Sequence, residues 1–241
     1  QRLAFADLAD AAAKETPPDP VPLRARRTDP LAGRAVARLD TPAKLDGSAN
    51  FAADIRLPDM VYAAIAKGPM GSAAVEPDAE LARSMNGVVD VVTGEDWIAV
   101  AASNWWAANQ ALLAMKPKFK VAGKPVNDAS IAAALADALR KGPGVTVAQW
   151  GDATAQFGEQ TTRVFTAQAY IHAAPHAAPE PRSTTVRLKD GRAEVWLASQ
   201  APGDARTRVA AALGFGSEDV TLYPMLAGGS FGRNYENDIA V

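Results

Sequence analysis

The residues with the clearest potential for chemistry form a glycine-rich stretch, Gly228-Gly-Ser-Phe-Gly-Arg233, near the end of the 241-residue sequence. Glycine adopts positive φ angles and has no Cβ, so its backbone N–H group can come close to a bound group. Successive N–H groups that point the same way form a concave site for anionic oxygen atoms. The alternative is a tight turn without a ligand. The stretch therefore predicts an anion-binding loop or a simple turn.

The same residues fit the pattern G-x-S-x-G, which places a nucleophilic serine after a strand in many hydrolases. In that fold the acidic residue and the histidine follow the serine along the chain. Both histidines of this sequence, His172 and His176, precede Ser230. A serine hydrolase would require catalytic residues further downstream, and this is the less favoured interpretation.

His172, His176 and Glu180 are spaced four residues apart, which on a helix would place three zinc ligands on one face. Proline breaks a helix, and three prolines interrupt this segment: Pro175, Pro179 and Pro181. We therefore predict an extended loop here, and no metal ligands in the chain.

The elements that must position these residues belong to the second half of the sequence. Apolar residues predict a strand, Val220–Leu226, that leads into the glycine-rich stretch. Gly203–Leu213 has the apolar face of a helix, and Ser183–Leu188 with Ala193–Ser199 predicts a hairpin. Thr161–Tyr170 alternates like a further strand.

The first half also interleaves strands and helices. The predicted strands are Asn50–Leu57, Met60–Lys67, Val88–Thr93, Trp97–Ala102 and Lys118–Val121, and the predicted helices are Ala79–Ser84, Trp105–Met115 and Ser130–Lys141. The β-branched run Val88–Thr93 is typical of a strand covered on both faces, and Trp105 and Trp106 are interpreted as core residues. The mixture predicts the α+β class.

Composition excludes several kinds of function. The formal net charge of −2 does not favour binding to nucleic acid. Cysteine is absent, which excludes a disulfide or a cysteine-held iron–sulfur cluster within this chain. No apolar run approaches the ~20 residues of a transmembrane helix. A proline- and arginine-rich stretch, Thr16–Thr28, predicts an extended linker.

The order of five motifs resembles the molybdopterin-binding large subunits of the xanthine dehydrogenase and aldehyde oxidase family. The resemblance is strongest to the isoquinoline oxidoreductase β-subunit and related bacterial aldehyde dehydrogenase large subunits. The motifs are Gly33-Arg-Ala-Val-Ala-Arg-Leu-Asp-Thr-Pro-Ala-Lys-Leu-Asp-Gly47, Phe51-Ala-Ala-Asp-Ile-Arg-Leu-Pro-Asp-Met60, His176-Ala-Ala-Pro-Glu-Pro181, Trp196-Leu-Ala-Ser-Gln-Ala-Pro202 and the glycine-rich stretch.

This resemblance implies an internal fragment of a longer protein with three segments. Residues 1–30 would be the end of a preceding segment and a linker, residues 31–125 an α/β hammerhead domain, and residues 126–241 the start of a molybdopterin-binding domain. It also implies the site residues. Gly228, Gly229, Ser230, Phe231, Gly232 and Arg233 would bind the cofactor, with Gln200, His176 and Glu180 behind them. The family's catalytic glutamate is expected downstream, so no catalytic residue is assigned in this chain.

The resemblance further implies what the whole protein does. The cofactor would be molybdopterin cytosine dinucleotide with molybdenum, and the reaction the oxidation of an aldehyde or N-heterocycle with oxygen from water. The implied partners are the remainder of the large subunit, a small subunit with 2Fe-2S clusters, and a cytochrome c as electron acceptor. The implied location is the periplasm or the membrane surface, with the cytoplasm as the alternative. The alternative function is a non-catalytic interaction module derived from the same family.

Two departures from the family pattern lie in the candidate site. Ser230 stands where the family usually has a third glycine, and Ala174 stands where many members have a glutamine that contacts the molybdenum oxygen. The pattern leads us to expect that Ser230→Gly is tolerated. It also leads us to expect that Gly229→Val costs little folding stability but prevents cofactor insertion.

Overall fold

A computed structural model of the chain describes residues 3–21, 31, 33–142, 144–157 and 163–237. The chain divides into two compact units, Gln1–Asn50 and Phe51–Val241. Of the predicted linker Thr16–Thr28, only residues 16–21 lie within the described part, and they contain no helix or strand. The predicted segment boundaries near residues 30 and 125 stay predictions.

The first unit contains two short helices, α1 (Phe5–Ala12) and α2 (Thr41–Asp46), and neither buries a residue. Sequence analysis did not predict the helix α2. Pro42 is tolerated in the first turn because its missing N–H would be unpaired there in any residue. Gly47 ends the helix in the left-handed conformation, with φ of 80°.

The second unit begins with two small antiparallel sheets. Its first elements are β1 (Tyr62–Lys67), β2 (Ser72–Ala74), α3 (Ala79–Arg83), β3 (Val88–Thr93), β4 (Trp97–Ala102), α4 (Trp105–Met115) and β5 (Phe119–Val121). One sheet has the order β1-β4-β3, and β2 pairs with β5 in the other. Asn104 caps α4 by accepting the N–H of Ala107.

The core of this region lies between β4 and α4. Ile98 and Val100 on β4 are fully buried, and they pack in one cluster with the inward face of α4. The predicted burial of β3 on both faces is wrong, because β3 is an edge strand of which only Val91 is buried. Trp105 and Trp106 are not core residues either, because their exposed fractions are 55% and 67%.

Four other segments differ from prediction. Asn50–Leu57 is not a strand: Phe51 makes one isolated bridge to Leu226, and Ala52–Asp54 forms a 3₁₀ turn that the Asp54 carboxylate closes onto the Phe51 N–H. Residues 163–170 contain no strand. The helix α5 spans Asp128–Lys141, two residues longer than the predicted Ser130–Lys141, and Asn127 caps it by accepting the N–H of Ser130. A helix that the sequence did not predict, α6, spans Ala153–Phe157.

None of the helices in the described ranges is long and apolar enough to cross a bilayer.

The second three-stranded sheet of this unit, which we call the second sheet, carries the candidate site. Its elements are β6 (Thr184–Lys189), β7 (Arg192–Leu197), α7 (Pro202–Leu213) and β8 (Val220–Pro224). The β6–β7 hairpin turns at Asp190 and Gly191, whose φ angles of 50° and 72° are typical of a tight hairpin turn. β8 pairs in parallel with β7, and α7 connects the two strands. Buried residues of α7 cover the β7–β8 face, so the helix holds both strands in place.

Limited proteolysis can test the predicted boundary between the segments. We expect the first cuts between Val121 and Gly144 or within Thr16–Thr28, because glycine, proline and lysine there favour exposed backbone. First cuts inside Val88–Met115 would contradict the division, because these elements surround the β4–α4 core. Mass spectrometry of the early fragments measures the cut sites.

Candidate functional site

The topology of the second sheet brings three separate segments to one edge. Parallel strands end at the same edge, so the residues after β7 and after β8 lie side by side, and Met225 N–H donates to Leu197 O at 3.0 Å. β6 runs antiparallel to β7, with Thr184 opposite Leu197, so the chain enters β6 at this same edge. Glu180, Gln200 and the glycine-rich stretch therefore meet, although as many as 48 residues separate them along the chain.

Glu180 holds the start of the glycine-rich stretch. Gly228 N–H donates to Glu180 Oε2 at 2.6 Å, and Glu180 N–H donates to Gly228 O at 3.0 Å. Ala53 N–H donates to the other carboxylate oxygen of Glu180 at 3.3 Å, which ties the 3₁₀ turn to the same side chain. A Cβ built on Gly228 would lie 2.4 Å from Glu180 Cβ, so this approach requires glycine.

The backbone of residues 229–232 turns sharply, and its N–H groups have no acceptor among the described residues. The φ angles of Gly229, Phe231 and Gly232 are 96°, 52° and 91°. Among the residues that the structure describes, no acceptor is paired with the N–H of any residue in 229–232. A run of unpaired N–H groups with φ angles of changing sign suits an anionic ligand. We call residues 228–233 the donor loop.

Ser230 and Gln200 brace the middle of the donor loop. Ser230 Oγ–H donates to Gln200 Oε1 at 2.6 Å, and Asn234 N–H donates to Ser230 Oγ at 3.0 Å. Gln200 N–H donates to Asn234 O at 2.9 Å, and Arg233 N–H donates to Ser230 O at 2.9 Å. Within the described residues, these hydroxyl partners include no histidine, so the structure gives no support to a serine nucleophile.

Some of the predicted residues, together with Asn234, which was not predicted, line a groove beside the donor loop. His176, Glu180, Arg233 and Asn234 contribute to this groove, which has a volume of about 270 Å³. Arg233 forms an ion pair with the carboxylate of Glu236. Phe231 is 69% exposed, and its ring lies next to Gly229. All nine predicted site residues are therefore close to this sheet edge, and their roles toward a cofactor stay predictions.

Residues that sequence analysis missed anchor the segment after the donor loop. Asn237 is 3% exposed; its side-chain N–H donates to Asp204 Oδ2 at 2.9 Å, and Ser199 Oγ–H donates to Asn237 Oδ1 at 2.9 Å. The hydrogen bond from Asn237, and then the one from Arg208, lower the pKa of Asp204. Asn234 is also buried. The sequence signal for this anchor was the presence of two asparagines, Asn234 and Asn237, directly after the glycine-rich stretch. Buried amide side chains need specific hydrogen-bond partners, so asparagines at such positions can hold a segment in place.

Gly229 lies against Pro179 in a backbone conformation that favours glycine, so a side chain here would disturb the protein itself as well as a bound cofactor. A Cβ at Gly229 would lie 2.8 Å from Pro179 Cδ, and the φ of 96° disfavours any residue with a side chain. The expectation that Gly229→Val costs little folding stability is therefore wrong for the donor loop itself. The side chain would first displace the loop from the Ala178–Pro179 segment.

The His172–Glu180 segment has no helix, in agreement with the extended loop that its prolines predict. The ring of Tyr170 contacts His172 edge-on, with 4.6 Å between ring centroids. In the described part of the chain, no three histidine, aspartate or glutamate side chains are grouped so that they could hold a metal ion.

Comparison with known families identifies the region that contains this site. Residues 139–240 match the family described as "Molybdopterin cofactor-binding domain". This part of the chain is therefore similar to that family. The matched range includes α7, the second sheet and the donor loop, with all of the predicted site residues.

Relatives agree with this identification. The chain is 27% identical to the beta subunit of isoquinoline 1-oxidoreductase from Brevundimonas diminuta over 90% of its own length and 29% of the relative. It is also 27% identical to the B subunit of nicotinate dehydrogenase from Pseudomonas putida over 92% of its length and 19% of that relative. The chain thus spans less than a third of either protein.

A solved structure shows the same fold. The aldehyde oxidoreductase of Desulfovibrio desulfuricans superposes with a TM-score of 0.62 at 20% identity, over 87% of this chain and 29% of the other. The mixed α+β class and the resemblance to the xanthine dehydrogenase and aldehyde oxidase family are confirmed.

Proposed function

We propose that this chain is part of the large subunit of a molybdenum hydroxylase, and that its donor loop binds the molybdopterin cofactor. The observation that carries the proposal is the set of N–H groups in residues 229–232, which have no acceptor among the described residues. The cofactor supplies oxo and phosphate oxygen atoms that such donors suit. The family match over residues 139–240 supports the same assignment.

In this proposal the residues of the chain hold and orient the cofactor, which itself supplies the redox chemistry when bound. The N–H groups of residues 229–232 donate to its oxygen atoms. Glu180 keeps the loop at its position through Gly228. Preorganised donors of this kind bind without reorganisation when the ligand arrives, which favours a braced loop over a flexible one.

For the whole protein we propose oxidation of an N-heterocycle or an aldehyde with oxygen from water. Both curated relatives are named for N-heterocyclic compounds, isoquinoline and nicotinate, and this supports the N-heterocycle. Both are also named as subunits, which supports assembly with partner chains. By family resemblance we propose the cytosine dinucleotide form of the cofactor, and electron transfer to a 2Fe-2S subunit and then a cytochrome c.

The test is chemical analysis of the full-length protein purified from its natural host. We expect one molybdenum atom and one pterin nucleotide per large subunit, and dye-linked oxidation of at least one N-heterocycle or aldehyde. A full-length protein that holds neither molybdenum nor pterin would contradict the proposal. It would favour the alternative, a non-catalytic interaction module.

The isolated 241-residue chain is expected to bind no molybdenum and to oxidise no aldehyde. Its groove of about 270 Å³ is smaller than the ~300–1,000 Å³ of pockets that enclose small ligands, and the Phe231 side chain is exposed. A single exposed loop does not exclude water from a cofactor of this size. Metal analysis of the purified chain measures its molybdenum content, and a dye-linked assay measures its oxidation of aldehydes. Stoichiometric molybdenum in the isolated chain would contradict this prediction.

A further inference from the structure

Asn86 and Gly87 form the centre of the turn that joins α3 to β3. The Val88 N–H donates to Met85 O at 3.2 Å and closes the turn around these two residues. The φ of Gly87 is 84°, and a Cβ built on it would lie 2.8 Å from Ser103 Oγ. A positive φ at the third position is typical of a type II turn and requires glycine. The fold therefore fixes a glycine directly after this asparagine.

The peptide group between Asn86 and Gly87 has no hydrogen-bond partner in the described ranges. Neither the Asn86 carbonyl oxygen nor the Gly87 N–H is paired with another described residue. Asn86 is exposed, and its side chain likewise makes no hydrogen bond to the described part of the chain. This peptide group can therefore rotate without breaking any of the described hydrogen bonds. The rotation lets the Gly87 nitrogen approach Asn86 Cγ, and the missing Cβ of glycine leaves the approach open.

The other asparagines of the chain differ from Asn86 in these respects. None of them is followed by glycine. Asn50 is also exposed, but the N–H of the next residue, Phe51, donates to Asp54 Oδ2 at 2.9 Å. The asparagines that cap α4 and α5 use their side-chain oxygen atoms as hydrogen-bond acceptors, and the two that follow the donor loop are buried. Only Asn86 combines exposure with a following glycine.

We propose that Asn86 is a modification site, which deamidates in the folded protein to aspartate and isoaspartate. The Gly87 nitrogen loses its proton and attacks Asn86 Cγ, so that an N–Cγ bond forms. The Cγ–Nδ2 bond breaks, and Nδ2 leaves as ammonia with that proton, which closes a succinimide ring. Water then opens the ring at either carbonyl carbon and gives aspartate or isoaspartate. The reaction uses only water, so the inference is independent of the proposed function.

The modification changes the backbone at the start of β3. Isoaspartate adds a carbon atom to the main chain directly before Gly87, whose carbonyl oxygen accepts the Ser103 N–H at 2.8 Å. Arg83 on α3 also pairs with Asp90 on β3 across this turn, at 3.0 Å. The longer backbone should disturb both contacts. We therefore expect the modified protein to unfold at a lower urea concentration.

The experiment incubates three samples in neutral buffer: the full-length wild type, full-length Asn86→Gln and a synthetic peptide of residues 82–90. Peptide mass spectrometry measures conversion of the amide to the acid, and labelling by an isoaspartyl methyltransferase measures isoaspartate. Asn86→Gln is the matched control, because glutamine would have to close a larger ring. Asn50 is the internal control, an exposed asparagine without a following glycine.

We expect Asn86 in the folded protein to convert within about tenfold of the peptide rate, because a turn at an edge strand opens locally at little cost. Asn50 should convert at least about tenfold more slowly than Asn86, since the following N–H is hydrogen-bonded. Asn86→Gln should form no isoaspartate at this position over the same time. Its urea midpoint should stay constant while that of the wild type falls.

Several outcomes would overturn the inference. If the peptide converts while Asn86 stays an amide in the folded protein, the turn protects this residue. Aspartate without isoaspartate would show direct hydrolysis, because that route forms no ring. Equal conversion of Asn50 and Asn86 would assign the reaction to exposure alone. An unchanged urea midpoint in the modified wild type would contradict the expected disturbance of β3.

Discussion

Replacement of Gly229 by valine is expected to leave the full-length protein without molybdenum. The new Cβ would lie 2.8 Å from Pro179 Cδ, and valine strongly disfavours the φ of 96°. The loop must therefore move away from the Ala178–Pro179 segment, and the N–H groups of residues 229–232 lose their common orientation. We expect molybdenum content below about a tenth of the wild-type value, because several donors are lost together.

The folding cost of this substitution should be local. A residue held in a disfavoured backbone conformation costs about 1–3 kcal/mol, and the donor loop lies at the end of β8, outside the buried cluster of the second sheet. The matched control is Gly191→Val in the β6–β7 turn, where φ is 72° and no atom lies within 4 Å of the added Cβ. It carries similar backbone strain without contact to the loop.

Metal analysis and chemical unfolding of both variants separate the two effects. Gly191→Val should lose stability but retain molybdenum, whereas Gly229→Val should lose molybdenum while the protein stays folded. Normal molybdenum content in Gly229→Val would show that the donor loop is a simple turn. It would remove the main support for the proposed function.

Replacement of Ile98 by alanine is expected to produce the largest loss of stability among single substitutions in the first sheet. Ile98 is fully buried on β4, the central strand between β1 and β3. Deleting most of a buried isoleucine costs about 2–5 kcal/mol, because it removes apolar burial and leaves a cavity. Urea unfolding followed by tryptophan fluorescence should show a lower midpoint with a similar slope.

Ile65→Ala is the control for this substitution. Ile65 lies on the neighbouring strand β1, but it is 51% exposed. The same atoms are removed, and we expect a loss below about 1 kcal/mol, because the site remains solvated. Equal effects of the two substitutions would contradict the assignment of β4 as the buried centre of the sheet.

Local signals predicted several elements with their correct bounds. Val88–Thr93, Trp97–Ala102 and Trp105–Met115 agree with β3, β4 and α4 residue by residue. These elements depend on side-chain periodicity, β-branched residues and an asparagine cap, which act within a few residues of the chain. The helix α2 was missed because its proline and the glycine that ends it are equally typical of a turn.

The burial of those same elements could not be predicted in this way. Val88–Thr93 has the composition of a covered strand, yet it lies at the sheet edge. Trp105 and Trp106 are large and apolar, yet more than half of each side chain is exposed. Burial depends on which elements pack against a residue, and that information is distributed over the whole chain.

The sequence by itself determined the α+β class, the motif order that resembles the molybdenum hydroxylases, and the donor loop with its glycines. These features are local, because composition, periodicity and the absence of a Cβ act on the backbone where they occur. Only the tertiary structure decided that Glu180 contacts Gly228, that the Ser230 hydroxyl group donates to Gln200, and that Pro179 lies against Gly229. Each of these contacts joins residues 30 to 50 positions apart. They form because β6, β7 and β8 bring their connections to one edge of the sheet, and the strand pairing alone determines which residues meet there.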